Sequence, residues 1–285
     1  MAERAIIGLT DWLKTPAGAY VLQWEQTHLD TAVADLFGFH ALQLGLPELE
    51  ALRANRMPHR WVATERLDAV AARPPIDGPA SESLQGEPAE SPRTAVALHC
   101  DFDALPFDSS SLDLVVLPHA LEFARDPHLA LREVERVLVP EGRVAIVGFN
   151  PTSLWGLRQH LGRWRKRLAP GSQRALFLPS AGEFLRYRRL RDWLRLLGFE
   201  VEDGRFGCYR LPVASMKWLQ RFAWMERVGE RWWPVFGAVY FVVAVKRVRG
   251  MRLVGMVRAQ RVAPQAAPAP VVATHHNQHL NEPTP

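Results

Sequence analysis

Two apolar runs joined by one amphipathic segment constrain this chain more than any other feature. Leu112–Leu117 (LDLVVL) and Arg143–Gly148 (RVAIVG) lack the apolar–polar alternation of a half-exposed strand. Strands of that kind are buried on both faces. Between them, Asp126 followed by Pro127 reads as an N-cap with proline at the first helical position. Leu131, Val134, Val137 and Leu138 then fall on one helical face, and Pro140-Glu141-Gly142 reads as a turn. Strand, helix and strand in this order form a parallel βαβ unit, which requires layers on both sides of its sheet.

The flanking sequence extends the pattern. Gly8–Lys14 reads as helix, and from Ala17 the apolar positions Tyr20, Val21, Trp24, Leu29, Val33 and Leu36 recur at roughly helical spacing. His40–Gly45 reads as a short strand, Glu48–Arg56 as a helix, and Arg60–Thr64 and Thr94–His99 as further strands. Leu190–Leu197 reads as a helix stopped by Gly198, and Phe199–Glu202 and Gly237–Val245 as a strand pair. Residues 73–93 are rich in Pro, Gly, Ser and Glu, which predicts a flexible insertion. From about Gly250 the composition turns to Ala, Pro, His and Gln, which predicts a disordered tail over 250–285.

With 285 residues, 48% of them hydrophobic, the chain can bury a sizeable core. Two cysteines, Cys100 and Cys208, are too few for a disulfide framework or a structural zinc site, and no metal site is expected. The N-terminal residues lack a signal-like pattern, and the longest apolar run, Val235–Val245, is about half of what a spanning helix needs. A cytoplasmic location is expected. The net charge of +5 is uneven: residues 151–195 hold eleven Lys or Arg against Glu183 and Asp192.

One stretch carries a family likeness. Cys100-Asp-Phe-Asp-Ala-Leu-Pro-Phe107, Ser110–Leu117, His119-Ala-Leu-Glu-Phe123 and Pro140-Glu-Gly-Arg143 follow one another with the spacing of a known run. It closely resembles the class I S-adenosylmethionine-dependent methyltransferases of the type-11 group. The resemblance implies an α/β, Rossmann-like doubly wound sheet of about seven strands over residues 40–249, preceded by a helical cap over 1–39. It implies S-adenosylmethionine as cofactor. Asp101 then accepts a hydrogen bond from the adenine amino group, and Phe102 offers its backbone N–H and a ring face to the base. Gly45 belongs to the cofactor loop, and Glu65 (or Asp68) is the acid for the ribose hydroxyls. His119 lies near the methyl donor's sulfur and is the candidate general base. The glycine-rich loop departs from the family pattern: Gln43 replaces its acid, and Pro47 and Leu49 replace two of its glycines.

Leu154, Leu157, Leu161, Trp164 and Leu168 lie near helical spacing, interleaved with Arg158, Arg163, Arg165, Lys166 and Arg167. Within the expected substrate-lid region, 151–182, this amphipathic helix has three readings. It is a packed helix with a solvated cationic face, a lid over an anionic or aromatic substrate, or a contact to nucleic acid or an anionic membrane. The aromatic cluster Trp218, Phe222, Trp224, Trp232, Trp233 and Phe236 is expected in the core or a pocket wall. The function expected is methyl transfer to an unidentified acceptor, small molecule or otherwise. The alternatives are a methyltransferase fold kept as a binding module without cofactor, and an RNA-associated methyltransferase.

Overall fold

In the computed structural model the described residues are 3–65, 97–168, 176–179 and 182–247. The insertion expected at 73–93 and the tail expected at 250–285 lie outside them. Seven strands form one sheet: β1 (His40–Leu44), β2 (His59–Thr64), β3 (Leu98–His99), β4 (Leu112–Pro118), β5 (Leu138–Phe149), β6 (Phe199–Gly207) and β7 (Val239–Lys246). Their spatial order is β3-β2-β1-β4-β5-β7-β6. The first five are parallel, and β7 runs antiparallel to both β5 and β6.

Strand alternation divides the core in two. Ala41, Leu114, Val116, Ala145, Val147 and Phe241 face one layer, while Leu42, Leu44, Val115, Leu117, Ile146 and Val242 face the other. The second layer holds α4 (Pro127–Val137), whose Asp126 Oδ1 accepts the His128 and Leu129 N–H groups at 2.9 and 3.1 Å, and α6 (Tyr187–Leu196). The turn expected at Pro140–Gly142 is a bulge inside β5: Leu112 pairs with Leu138, but Leu114 pairs with Arg143, and Glu141 has φ 65°.

The first layer is built by the N-terminal helices α1 (Glu3–Leu13) and α2 (Pro16–Ala34). Thr15 caps α2, accepting the Gly18 N–H at 3.1 Å with Pro16 at the first helical position. Val21, Leu29 and Val33 are fully buried against the sheet, each stabilising the layer by roughly 1.5–3 kcal/mol. These helices therefore supply core. The helix expected at Glu48–Arg56 is absent, and turns join β1 to β2 instead. The face such a helix would cover already holds α2, and the Asn55 side chain ties the turns to it through the Val33 carbonyl at 2.8 Å.

Candidate active site

The strand order reverses beside β1: the chain moves outward through β2 and β3, then returns to β4 on β1's other side. A crevice outside the carboxyl ends at such a switch point is where doubly wound sheets bind ligands. The residues singled out in the sequence stand at those ends. Gly45 follows β1, Glu65 follows β2, Asp101 lies just past β3, and His119 follows β4.

Gly45 has φ 80°, a left-handed backbone that glycine adopts without strain. A Cβ there would point at the Phe102 ring, 3.6 Å away, and at the Ala120 methyl, 3.7 Å away. Leu46 is left-handed too, at φ 41°, so the chain folds back at once. Gln43, almost fully buried, holds that fold. Its amide nitrogen lies 3.2, 2.9 and 2.7 Å from the carbonyls of Gly45, Leu46 and Leu49, and its oxygen accepts the Ala51 N–H at 3.0 Å. Leu46 and Leu49 point into the core with α2. A carboxylate at position 43 could accept but not donate to those carbonyls, so the missing acid and the missing glycines are one structural fact. The loop is closed by a carboxamide knot.

The ends of β2 and β3 are tied together. Cys100 N–H donates to the Thr64 carbonyl at 3.0 Å, and Thr64 Oγ1 lies 2.7 Å from His99 Nδ1. That pairing sets Glu65 and Asp101 on adjacent strand ends. Asp101 is exposed, Glu65 is largely buried, and Phe102 is buried with its ring over Gly45.

His119 differs from an accessible base. It has no side-chain exposure, and its left-handed backbone (φ 56°) starts the short helix α3 (Ala120–Phe123). Its Nε2 lies 2.8 Å from Glu25 Oε1 and its Nδ1 lies 2.9 Å from Glu122 Oε2. The other Glu122 oxygen accepts the Phe149 N–H, and the Phe149 ring lies 4.4 Å from the imidazole. Burial pushes the imidazole pKa down, but the two carboxylates outweigh it and raise it from 6.5 to about 10. Burial raises the Glu122 carboxyl, against the pull of His119. Both ring nitrogens are engaged, so this histidine has no free lone pair for an acceptor's proton.

Glu25 is the residue sequence reasoning missed. Its signal was present: it occupies the stripe Val21, Glu25, Leu29, Val33, where an acid among apolar residues at four-residue spacing must be buried. Its second oxygen, Oε2, has no hydrogen-bond partner among the described residues.

Beyond β5 a cavity of about 650 Å³ opens on the same end of the sheet, between Pro151–Leu154 and helix α8 (Trp224–Trp232). Leu157, Trp224, Val228, Trp233 and Phe236 give it an apolar wall, with His160 and Arg186 as polar members. Helix α5 (Leu154–Leu168) packs by an unexpected face. Trp155 and Gln159 are buried, with Gln159 bonded to the backbone of Leu178 and Pro179, while the leucine stripe faces outward. The aromatic cluster is corrected likewise: Trp218, Trp224, Trp232, Trp233 and Phe236 are each more than half exposed, and only some line the cavity.

Among the described residues, no group of three or more His, Cys, Asp or Glu side chains could hold a metal ion, and no helix is long and apolar enough to cross a membrane.

Comparison with known proteins fits this geometry. Residues 78–146 match a family model described as a methyltransferase domain, type 11. The chain is 32% identical over 190 residues to the Escherichia coli protein YafS, whose function is unassigned, covering 67% of this chain and 65% of that protein. It is 32% identical over 117 residues to a demethylmenaquinone methyltransferase of Clavibacter sepedonicus, covering 38% of this chain and 48% of that one. The chain thus spans less than two thirds of the length of these relatives. A chain from the complex between the Haloferax volcanii Trm112 methyltransferase activator and a methyltransferase superposes with TM-score 0.52 at 18% identity, covering 86% of this chain and 99% of that one. The matched segment resembles the type-11 methyltransferase domain, and the chain shares its α/β fold with the superposed methyltransferase chain.

Proposed function

We propose that this protein transfers a methyl group from S-adenosylmethionine to an apolar acceptor. The observation that carries the reading is the convergence of Gly45, Glu65 and Asp101 on the carboxyl ends of three adjacent parallel strands. The adenosine half of the cofactor fits this shelf. In this reading Glu65 accepts the ribose hydroxyls, Asp101 accepts the adenine amino group, and the Phe102 backbone flanks the base. Gly45 leaves the crevice floor free of a Cβ. The cofactor's sulfonium supplies an already activated methyl group. The chain's own task is to align the acceptor and exclude water. The 650 Å³ cavity, with apolar walls and few polar groups, suits an apolar or aromatic acceptor. Pro151–Leu154 and helix α5, through Leu157 and His160, form its lid side. His119 acts as a positioning residue: held as a cation between Glu25 and Glu122, it fixes the start of α3 beneath the crevice, and a proton carried by the acceptor is lost to solvent.

Calorimetry with S-adenosylhomocysteine tests this. Binding is expected, and Asp101→Ala, which removes an exposed carboxylate, should weaken it about tenfold or more. Unchanged affinity in that variant would remove Asp101 from the site. No binding at millimolar ligand would favour a second reading, to which the Gln43 knot points: a methyltransferase fold kept as a binding module, its loop closed where the cofactor's amino-acid tail would lie.

A further inference from the structure

Helix α5 is amphipathic in the wrong sense for a packed helix. Leu154, Leu157, Leu161, Trp164 and Leu168 are between 45% and 66% exposed, although they form its apolar stripe. A second patch adjoins it. Helix α7 (Met216–Arg221), α8 and the 3-10 turn Pro234–Phe236 expose Met216, Trp218, Trp232 and Val235. The cavity wall joins the two patches, since Leu154 and Leu157 line it opposite Trp224 and Phe236. They make one surface, far richer in large apolar side chains than a free face needs.

The charge around it is mainly positive, although α8 also carries the exposed Glu230 and the half-buried Glu226, the latter accepting the Cys208 N–H. Helix α5 contains five Lys or Arg and no carboxylate. Arg158 and Arg163 are placed over the Phe177 and Phe184 rings, at 4.5 and 5.6 Å, and Arg165 is exposed. Lys217, Arg221, Arg227 and Arg231 are exposed on α7 and α8.

We propose that this face docks on an anionic lipid bilayer, with the leucines and tryptophans at the acyl boundary and the cations at the headgroups. An interfacial helix carries this combination: apolar on one side, basic at its flanks, tryptophans between. A nucleic acid would satisfy the cations and stack on the rings, but it leaves Leu154, Leu157, Leu161 and Val235 in water. A second copy of the chain would cover the apolar stripe while setting the two cationic rims against each other. Only an anionic interface takes both at once. The proposal does not depend on methyl transfer, and its test does not measure it.

The full chain is mixed with vesicles of phosphatidylcholine alone or of phosphatidylcholine with phosphatidylglycerol, and sedimented. Binding is expected on the mixed vesicles, about tenfold weaker without the anionic lipid, and weaker with added salt. The variant Leu157→Gln/Trp164→Gln/Trp232→Gln keeps the net charge and should lose about tenfold or more in binding, with an unchanged circular dichroism spectrum. Lipids brominated in the acyl chain should quench tryptophan fluorescence in the parent and less in the variant. Three results overturn the proposal. One is no binding to mixed vesicles at low salt. Another is full binding by the triple variant, which leaves electrostatics alone. The third is a solution dimer, or a complex with single-stranded RNA, that this variant abolishes while vesicle binding is absent.

Discussion

The crevice floor and the α5–α7–α8 face invert one another. Beneath the crevice, polar groups are buried: Glu25, Gln43, His119 and Glu122 are each at most 3% exposed. On the outer face, apolar groups stand in water, with Trp232 70% exposed. Either arrangement costs free energy in isolation. In the floor the cost is offset within the molecule, because nearly every buried polar atom finds a partner. On the face nothing within the described residues covers the apolar stripe. One region is complete as it stands, and the other is completed by contact. Substitutions should therefore separate them: floor variants lose stability, face variants lose association.

The largest effect is expected from His119→Ala. It leaves Glu25 and Glu122 facing each other in the core without their shared cation, a loss of about 3–5 kcal/mol for a broken buried pair. Urea denaturation reads it directly. A loss under about 1 kcal/mol would mean that the floor tolerates an open charge.

Next comes pH. The His119 pKa is raised on folding from 6.5 to about 10. Its contribution is fully present below pH 6.5 and is lost as pH rises towards 10, at up to about 1.4 kcal/mol per unit. The midpoint of urea unfolding should fall steadily across that window, and in the Glu25→Gln background the fall should be shallower. A flat profile in the parent protein would show that the imidazole is not held as a cation.

Gln43→Leu should cost about 1–3 kcal/mol, because the Ala51 N–H and the Gly45, Leu46 and Leu49 carbonyls lose a buried partner. The same variant sharpens the functional question. If the knot keeps a cofactor tail out, S-adenosylhomocysteine should bind more tightly per folded molecule in Gln43→Gly than in the parent protein. Equal affinity would show that the knot lies clear of the ligand.

What the sequence made legible follows the same division. The parallel strands β4 and β5 and the helix α4 between them could be read because each buries a continuous or periodic apolar set, and burial there is decided locally. The helix expected at Glu48–Arg56 failed because propensity cannot register a glutamine five residues upstream that binds the loop's carbonyls. His119 was found, but its partner Glu25 stands 94 positions away on a different element, and only the fold brings them within 2.8 Å. The pattern of α5 showed two faces and could not say which one packs. Trp155 and Gln159 decide that through contacts with Arg210, Leu178 and Pro179.

The smallest expected effect concerns the face itself. Trp232→Gln exchanges a large apolar side chain for a polar one at a site 70% exposed, so folding removes little of it from water. Its stability change should stay within about 0.5 kcal/mol, as for surface substitutions generally. The outcome is informative because tryptophan, wherever it is packed, is among the costliest residues to replace, at about 3–5 kcal/mol on truncation. A loss of that size in Trp232→Gln would mean that this side chain is covered in the folded protein, and the outer face would then belong with the crevice floor. An unchanged unfolding midpoint together with weaker vesicle binding separates the two regions: the tryptophan contributes nothing to the fold and something to what the fold meets.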